Sequence, residues 1–87
     1  MAHFAEIKDN KVTEVICIAN ENCGGGEFPQ SEPIGQAFIA SIGISGYWLQ
    51  TSYNNNFRGV YAGIGYTYDV ATDTFNPPPN PDAPTEA

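Results

Sequence analysis

The sequence predicts a small α+β domain in which one helix packs on a mainly antiparallel sheet. Two β-rich runs, residues 3–8 and 11–20, open the chain, and the one convincing helical pattern covers residues 31–43. Strand-like runs follow at residues 47–53 and 63–69, and DVATDTF reads as a turn that leads into a short edge strand. Because this ββαβββ order keeps a single helix apart from the strands, it favours a helix layer packed on one face of a sheet.

The first two runs are joined by Asp9 and Asn10, which tolerate the positive φ angles of a tight hairpin turn. The second run is continuously apolar from Val15 to Ile18, whereas the first is mixed. Continuous apolar runs are typical of strands that are buried on both faces. We therefore expect the second strand to be central and doubly buried, and the first strand to lie nearer an edge.

The segment SEPIGQAFIASIG carries the start and stop signals of a helix. Ser31 is a suitable cap for its first turn, and Gly43 suits its end. Helical spacing predicts a buried face, with Gly35 and Gln36 outside it. The residues on this predicted face are Ile34, Ala37, Phe38, Ser41 and Ile42. The residues predicted to form the core are Ile16, Ile18, Phe38, Ile42 and Leu49.

Charge and length narrow the classes of function. The 87 residues carry ten acids against three bases, a net charge of −7, which repels phosphate backbones and anionic membrane surfaces. No apolar run approaches the roughly 20 residues that a membrane helix needs, and the N-terminal segment lacks the order of a signal peptide. We therefore expect a soluble protein, made in a cytoplasm, that binds neither nucleic acid nor membranes.

Cys17 and Cys23 are the two cysteines, and they lack the spacing of a zinc or redox motif. Free thiols are the first expectation; a Cys17–Cys23 disulfide and a metal site shared with His3 remain as alternatives. Gly24–Gly26 lie between the cysteine pair and the helix, but no phosphate-binding lysine follows them. The glycines therefore predict a flexible connection, and no cofactor is expected.

The segment SYNNNFRGVYAGIGYTYD holds the main candidates for an interaction site. Its asparagines predict a turn, whereas Arg58 is the only cation after Lys11 and has aromatic neighbours. Arg58 is open to three interpretations, which are an internal structural contact, a contact across an interface, and a ligand site. The aromatic neighbours counted as interaction candidates are Tyr53, Phe57 and Tyr61. The sole histidine, His3, has no predicted nucleophile beside it, so we expect no enzyme and no catalytic residue.

The composition changes after residue 76, where five of the twelve residues in NPPPNPDAPTEA are prolines. Residues 1–76 are predicted to form the single domain, and residues 77–87 an extended, proline-rich arm. Proline is already restricted in conformation, so such an arm loses little entropy when it docks on a partner. Its candidate interaction residues are Pro77, Pro78 and Pro79.

Three stretches carry a resemblance to a known family. MAHFAEIKDNKVTEVICIANENC, FPQSEPIGQAFIASIG and TSYNNNFRGVYAGIGYTYDVATDTFNPP together resemble small, largely uncharacterised proteins of marine tailed bacteriophages, including phages of cyanobacteria. The similarity spans about residues 1 to 79, and YNNNFRGVYAGIGYTYD is its most specific portion. The resemblance implies a structural or accessory protein of the virion, such as a capsid decoration, tail or fibre-associated protein, assembled in the host cytoplasm.

The expected partners are other virion proteins or further copies of this chain. Two alternatives belong to other classes of function. One is a phage protein outside the virion that binds and inhibits a host factor, since its acidity can mimic nucleic acid. The other is a module that binds surface glycan through an exposed Trp48 and exposed tyrosines.

Overall fold

A computed structural model describes residues 1–78 of the chain. This part consists of one α-helix and a curled antiparallel sheet of five strands, which confirms the mixed α+β class. The strands follow the order β3-β1-β2-β4-β5 across the sheet. Their bounds are β1 Ala2–Lys8, β2 Lys11–Ile18, β3 Trp48–Thr51, β4 Thr67–Asp69 and β5 Thr74–Asn76, with a 3-10 helix at Asn20–Cys23 and helix α1 at Ser31–Ser41. Most of the predicted proline-rich arm, residues 79–87, lies outside the described residues.

The opening hairpin is formed by β1 and β2, as the sequence predicts. Asp9 and Asn10 have φ angles of 53° and 63°, the left-handed conformation that a two-residue hairpin loop requires. A register shift between Glu6 and Ile7 marks a β-bulge, in which Thr13 is the extra residue on β2. The local turn chemistry therefore sets where the chain reverses.

The strand that is buried on both faces is β1, so the prediction that β2 occupies this position is wrong. Phe4 and Ala5 are both fully buried although they point to opposite faces. In contrast, β2 exposes Thr13, Glu14 and Cys17. The reason is that β3 returns from far along the chain and pairs with the free side of β1, which local composition does not reveal.

The two faces of the sheet carry separate hydrophobic clusters. The cluster that includes residues of α1, called here the helix-side core, consists of Ala2, Phe4, Ile18, Cys23, Ile39 and Trp48. The cluster on the concave face, called the inner core, consists of Ala5, Ile7, Val12, Leu49, Ala62 and Phe75. Of the predicted core residues, Ile18 and Leu49 are buried, and Ile16 and Phe38 are half-buried against the helix-side core. Ile42 is 53% exposed, so its assignment to the core is wrong.

Helix α1 turns a different face to the sheet from the one its apolar spacing predicts. Its buried residues are Ser31, Gly35 and Ile39, whereas Ile34 is 45% exposed. A Cβ atom at Gly35 would lie 2.3 Å from the ring Cζ of Phe4, so the helix backbone rests directly on β1. Ser31 does not cap the helix, because it is the first residue inside α1 and is buried, and Gln30 at the N-cap position makes no side-chain capping hydrogen bond.

The strands after the helix are shorter than predicted. Trp48–Thr51 and Thr67–Asp69 replace the expected runs at 47–53 and 63–69. Gly63 and Gly65 lie before β4, and nothing approaches within 4 Å of a Cβ placed at Gly65. The predicted short edge strand after the DVATD turn is confirmed as β5.

We predict that Gly35→Ala destabilises the protein even though alanine is the better helix former. The helix propensity gain is about 1 kcal/mol. The clash with Phe4 costs about 1 to 3 kcal/mol or more, because a packed core relaxes little. The expected net effect is a lower free energy of unfolding, measured by chemical denaturation.

Gly26→Ala is the matched control for this substitution. Gly26 does not have a positive φ angle, and nothing lies within 4 Å of an added Cβ. Its variant should unfold at the wild-type denaturant concentration. Equal stability of Gly35→Ala and the wild type would show that the helix does not approach β1 this closely.

Candidate functional site

Arg58 is the centre of the polar site in this fold. It lies between β3 and β4 with a φ angle of 57°, and its side chain is only 10% exposed. Both terminal nitrogens of its guanidinium donate to the carboxylate of Glu32, in the first turn of α1. Its Nε donates to Asp73 Oδ1 over 2.8 Å, and Nη1 also donates to the carbonyl of Gln50 over 3.1 Å. Arg58 therefore joins the helix, β3 and the turn before β5.

The outer edge of β3 is covered by side chains instead of by another strand. Glu32 Oε2 accepts a hydrogen bond from the N–H of Gln50 over 2.8 Å, and Arg58 occupies the carbonyl of the same residue. Gln36 Nε2 donates to the carbonyl of Trp48 over 2.6 Å. The side chain of Gln50 accepts a hydrogen bond from Ser31 Oγ over 2.7 Å. Main-chain groups that would attract a foreign strand are thereby satisfied within the chain.

The main chain at Arg58 makes a contact with the opposite end of the sheet. Its carbonyl accepts a hydrogen bond from the N–H of Phe75 over 2.9 Å, and Gly59 forms a parallel bridge with Phe75. Phe75 belongs to β5, the last strand of the sheet, while Gln50 belongs to β3, the first. A single residue thus links the two edge strands and closes the curled sheet.

The charges around Arg58 shift the pKa values of its neighbours. Burial alone would lower the pKa of Arg58, but the hydrogen bonds and charges of Glu32 and Asp73 outweigh it, and the pKa is raised. Burial would likewise raise the pKa of Asp73, yet the hydrogen bonds from Tyr68 and Arg58 and the arginine charge lower it. Burial, followed by the hydrogen bond to Asp73 and its charge, raises the pKa of Tyr68 to about 12. Arg58, Asp73 and Tyr68 therefore each keep a single protonation state over the neutral pH range.

Phe28 and Phe57 form a stacked aromatic pair beside this site. Their rings stack with centroids 3.8 Å apart and planes within 4° of parallel. Arg58 Cζ lies 5.1 Å from the centroid of Phe28, within the range of a cation–π contact. A cleft of about 590 Å³ opens next to these rings, and its lining includes Gln50 and Asn56.

A second aromatic group, called here the aromatic patch, consists of His3, Tyr53 and Tyr61. The ring of His3 stacks on Tyr53 at 5.3 Å and meets Tyr61 edge-on at 5.4 Å, while the two tyrosines lie 5.1 Å apart. Asn55 Oδ1 accepts a hydrogen bond from the N–H of Tyr61 over 2.6 Å, which fixes the loop that carries both tyrosines. Tyr53 remains 65% exposed. Burial and then the N-terminal charge lower the pKa of His3.

The residues predicted as interaction candidates lie in different parts of the fold. Arg58 makes internal contacts with Glu32 and Asp73, which is what one of its three interpretations predicts. Tyr53 and Tyr61 lie together in the aromatic patch, whereas Phe57 stacks on Phe28. Pro77 and Pro78 are exposed beyond β5, and Pro79 lies outside the described residues.

The prediction that Trp48 is exposed and available to bind a glycan is wrong. Its side chain is 6% exposed in the helix-side core, and its indole N–H donates to the carbonyl of Ser45 over 3.1 Å. Pairing of β3 with β1 instead turns this side chain under the helix.

The partners of Arg58 were missed by sequence reasoning. As an acid in the first turn of the predicted helix, Glu32 carries no signal of an arginine partner, and the helical spacing predicts Gln36 on the outer face. Glu32 and Arg58 are 26 residues apart, so no local pattern connects them. The one available signal was the scarcity of cations in an acidic chain, which singled out Arg58 but not its partners.

The cysteines carry free thiols. Cys17 is exposed on β2, and Cys23 is buried in the helix-side core, where burial raises the pKa of its thiol. Within residues 1–78, no three or more His, Cys, Asp and Glu side chains gather in a way that could hold a metal ion. The same residues contain no helix with the length and apolar character needed to cross a membrane.

We predict that Arg58→Ala destabilises the protein by about 3 to 5 kcal/mol. The substitution leaves Glu32, which is 15% exposed, without its partner in a largely buried position. Arg58→Lys should recover only part of the loss, because an ammonium group lacks the planar fork that binds a carboxylate through two nitrogens. Denaturant titration measures both effects.

Lys11→Ala provides the charge-matched control for Arg58→Ala. It makes the same change in net charge at an exposed position on β2. Its free energy of unfolding should stay close to that of the wild type. A similar loss for both variants would mean that overall charge, and not the closure of the sheet, determines the effect.

We predict that the stabilisation provided by Asp73 disappears in acid. Its pKa is lowered from the ordinary value of 3.8, so its contribution is present above that value and is lost as pH falls through the folded-state pKa. The stability difference between wild type and Asp73→Asn should therefore shrink as pH is lowered from about 6 to about 2.5. A difference that stays constant over this range would contradict the lowered pKa.

Comparison with known proteins identifies no family for this chain. No model of a protein family, no curated protein and no solved structure matches the chain. The resemblance to phage proteins is thus an expectation that these comparisons do not test. A function for the chain has to be argued from its own residues.

Proposed function

We propose that this chain is a non-enzymatic structural or accessory protein of a tailed phage, such as a capsid decoration, tail or fibre-associated protein. It acts by binding other virion proteins or further copies of itself. The phage assignment rests on the sequence resemblance over about residues 1 to 79. The mode of action rests on how the chain uses its polar and aromatic side chains.

The groups best suited to chemistry are engaged in internal contacts. The guanidinium of Arg58 is shared among Glu32, Asp73 and the carbonyl of Gln50. The imidazole of His3 packs against two tyrosine rings. These contacts support a role for both residues in holding the fold and its surface in shape, rather than in turning over a substrate.

The observation that carries the proposal is the aromatic patch. Tyr53 is 65% exposed, yet its ring is held by His3 and Tyr61. A tyrosine held in this way can bury a large apolar surface on binding while losing little conformational freedom. Tyrosine is accordingly enriched in protein–protein interfaces. We assign the patch as the surface that contacts a neighbouring virion protein.

We predict that mass spectrometry of purified phage particles detects this chain as a multi-copy component. Tyr53→Ala should lower its copy number in particles without altering its thermal unfolding, because the side chain contributes little to the core. Tyr47→Ala is the matched control, since Tyr47 is also exposed, at 58%, but lies outside the aromatic patch. Its copy number should be unchanged.

The alternatives give different outcomes in the same experiment. Particles without the chain, together with its recovery from infected-cell cytoplasm bound to a host protein, would overturn the virion role and favour the host-factor inhibitor. Binding to a glycan array that Tyr53→Ala abolishes would favour the glycan module. If Tyr53→Ala and Tyr47→Ala were incorporated into particles equally, the virion role would still be supported. The aromatic patch would then not be the surface through which the chain contacts its neighbours.

A further inference from the structure

Two of the three strand edges in this sheet are occupied. The edge of β3 is covered by Gln36, Glu32 and Arg58, and the edge of β5 by the main chain of residues 58–59. The third edge belongs to β2. Strand β4 pairs with β2 only at Lys11, and the hydrogen bonds on that side end at Val12. Within residues 1–78, the rest of β2 has no neighbouring strand there.

The register shows which main-chain groups face this open edge. Ile7 on β1 donates its N–H to Tyr47 beside β3, so by alternation Ala5 and His3 also direct their main chain toward β3. Ala5 lies opposite Val15, and His3 lies opposite Cys17. Val15 and Cys17 must therefore direct their N–H and carbonyl groups away from β1. The N–H of Val15 makes a 3.3 Å contact with the exposed carboxylate of its neighbour Glu14, and none of these groups forms a hydrogen bond to another main-chain group within the described residues.

The side chains along this edge are suited to strand pairing. Residues 13–18 read TEVICI, which contains three β-branched apolar residues, a single charge and neither lysine nor proline. Natural proteins usually protect an open edge with lysine, proline or an inward charge. Ile16 is half-buried, Cys17 is exposed and Ile18 is buried, so the accessible part of the segment covers residues 13–17.

We propose that β2 pairs antiparallel with β2 of a second copy of this chain, across a two-fold axis at Ile16. In this register Val15 lies opposite Cys17 of the second copy, and each donates to and accepts from the other. Glu14 lies opposite Ile18 of the second copy, which keeps the two glutamates apart. The two sheets join into one, and the two Ile16 side chains meet at the axis.

A second copy fits this edge better than the chain's own C-terminal arm. Pairing at Val15 and Cys17 requires a partner that supplies donors and acceptors in alternation. Proline has no N–H, and five of residues 76–87 are prolines. Strand β2 itself has the required groups at the required spacing, and an interface that uses the same patch on both subunits is the commonest in homo-oligomers. The proposal does not depend on the virion role.

Sedimentation and light scattering of the full chain over a range of concentrations, with reductant present, test the proposal. The wild type should show a monomer–dimer equilibrium. Cys17→Pro removes one hydrogen-bond donor from each copy, so the dissociation constant should rise about 30-fold. Cys17→Ser keeps the main-chain donor and should dimerise like the wild type.

The variants are chosen so that folding and pairing are separated. Cys17 is exposed and its N–H has no main-chain partner among residues 1–78, so proline at this edge position leaves the inner hydrogen bonds of the sheet intact. Circular dichroism checks this. Should Cys17→Pro unfold, Cys17→Lys gives the same test, because a lysine on the edge opposes pairing without changing the backbone.

Hydrogen exchange followed by NMR identifies the bonds directly. The Cys17 amide should exchange freely in dilute solution and become protected as the concentration rises, whereas the Ile7 amide, bonded within the monomer, should be protected throughout. A wild type that stays monomeric at all concentrations would overturn the proposal. So would a dimer that persists in the proline and lysine variants with an unprotected Cys17 amide.

Discussion

The interaction on which the fold depends is the contact of Arg58 with Glu32. A short curled sheet has two end strands, and each exposes main-chain groups that need partners. Arg58 reaches the β3 edge through its side chain and the β5 edge through its carbonyl, while Glu32 anchors the helix to the same place. The left-handed conformation of Arg58 costs about 1 to 3 kcal/mol. The several hydrogen bonds made from that position offset this cost, and they include three to ionised groups.

The same constraint explains why the helix presents an unusual face to the sheet. Beside β3 it must supply groups that bond to a strand edge, and Glu32 and Gln36 do so, while Ser31 bonds to the side chain of Gln50. Over β1 it must come close, and Gly35 allows that approach. Apolar residues such as Ile42 are left on the outside. The apolar stripe of this helix therefore does not mark its buried face. The polar side chains that cover the edge of β3 compete with the apolar side chains for the face of the helix that lies against the sheet.

Features encoded by neighbouring residues could be predicted from the sequence, and features that join distant segments could not. The hairpin turn at Asp9 and Asn10, the approximate bounds of the helix and the last strand all follow from signals within a few positions. The doubly buried strand was assigned wrongly because β3 pairs with β1 across more than forty residues of chain. Arg58 was singled out by the scarcity of cations, but the choice among its three interpretations required knowing that Glu32 and Asp73 lie beside it. No spacing rule supplies that information.

The two surfaces that we propose for association lie at one end of the opening hairpin, away from the turn at Asp9 and Asn10. His3 of the aromatic patch pairs with Cys17 on the open edge of β2, so the two surfaces are neighbours. Residues directly opposite each other in antiparallel strands point to the same face. A dimer joined through β2 would therefore carry its two aromatic patches on one face of the combined sheet. Two linked contacts bind a repetitive surface far more tightly than one, because the second contact forms within the same complex. Pairing of copies and recognition by the aromatic patch would thus reinforce each other on a lattice of identical subunits, which is the arrangement that a phage particle presents.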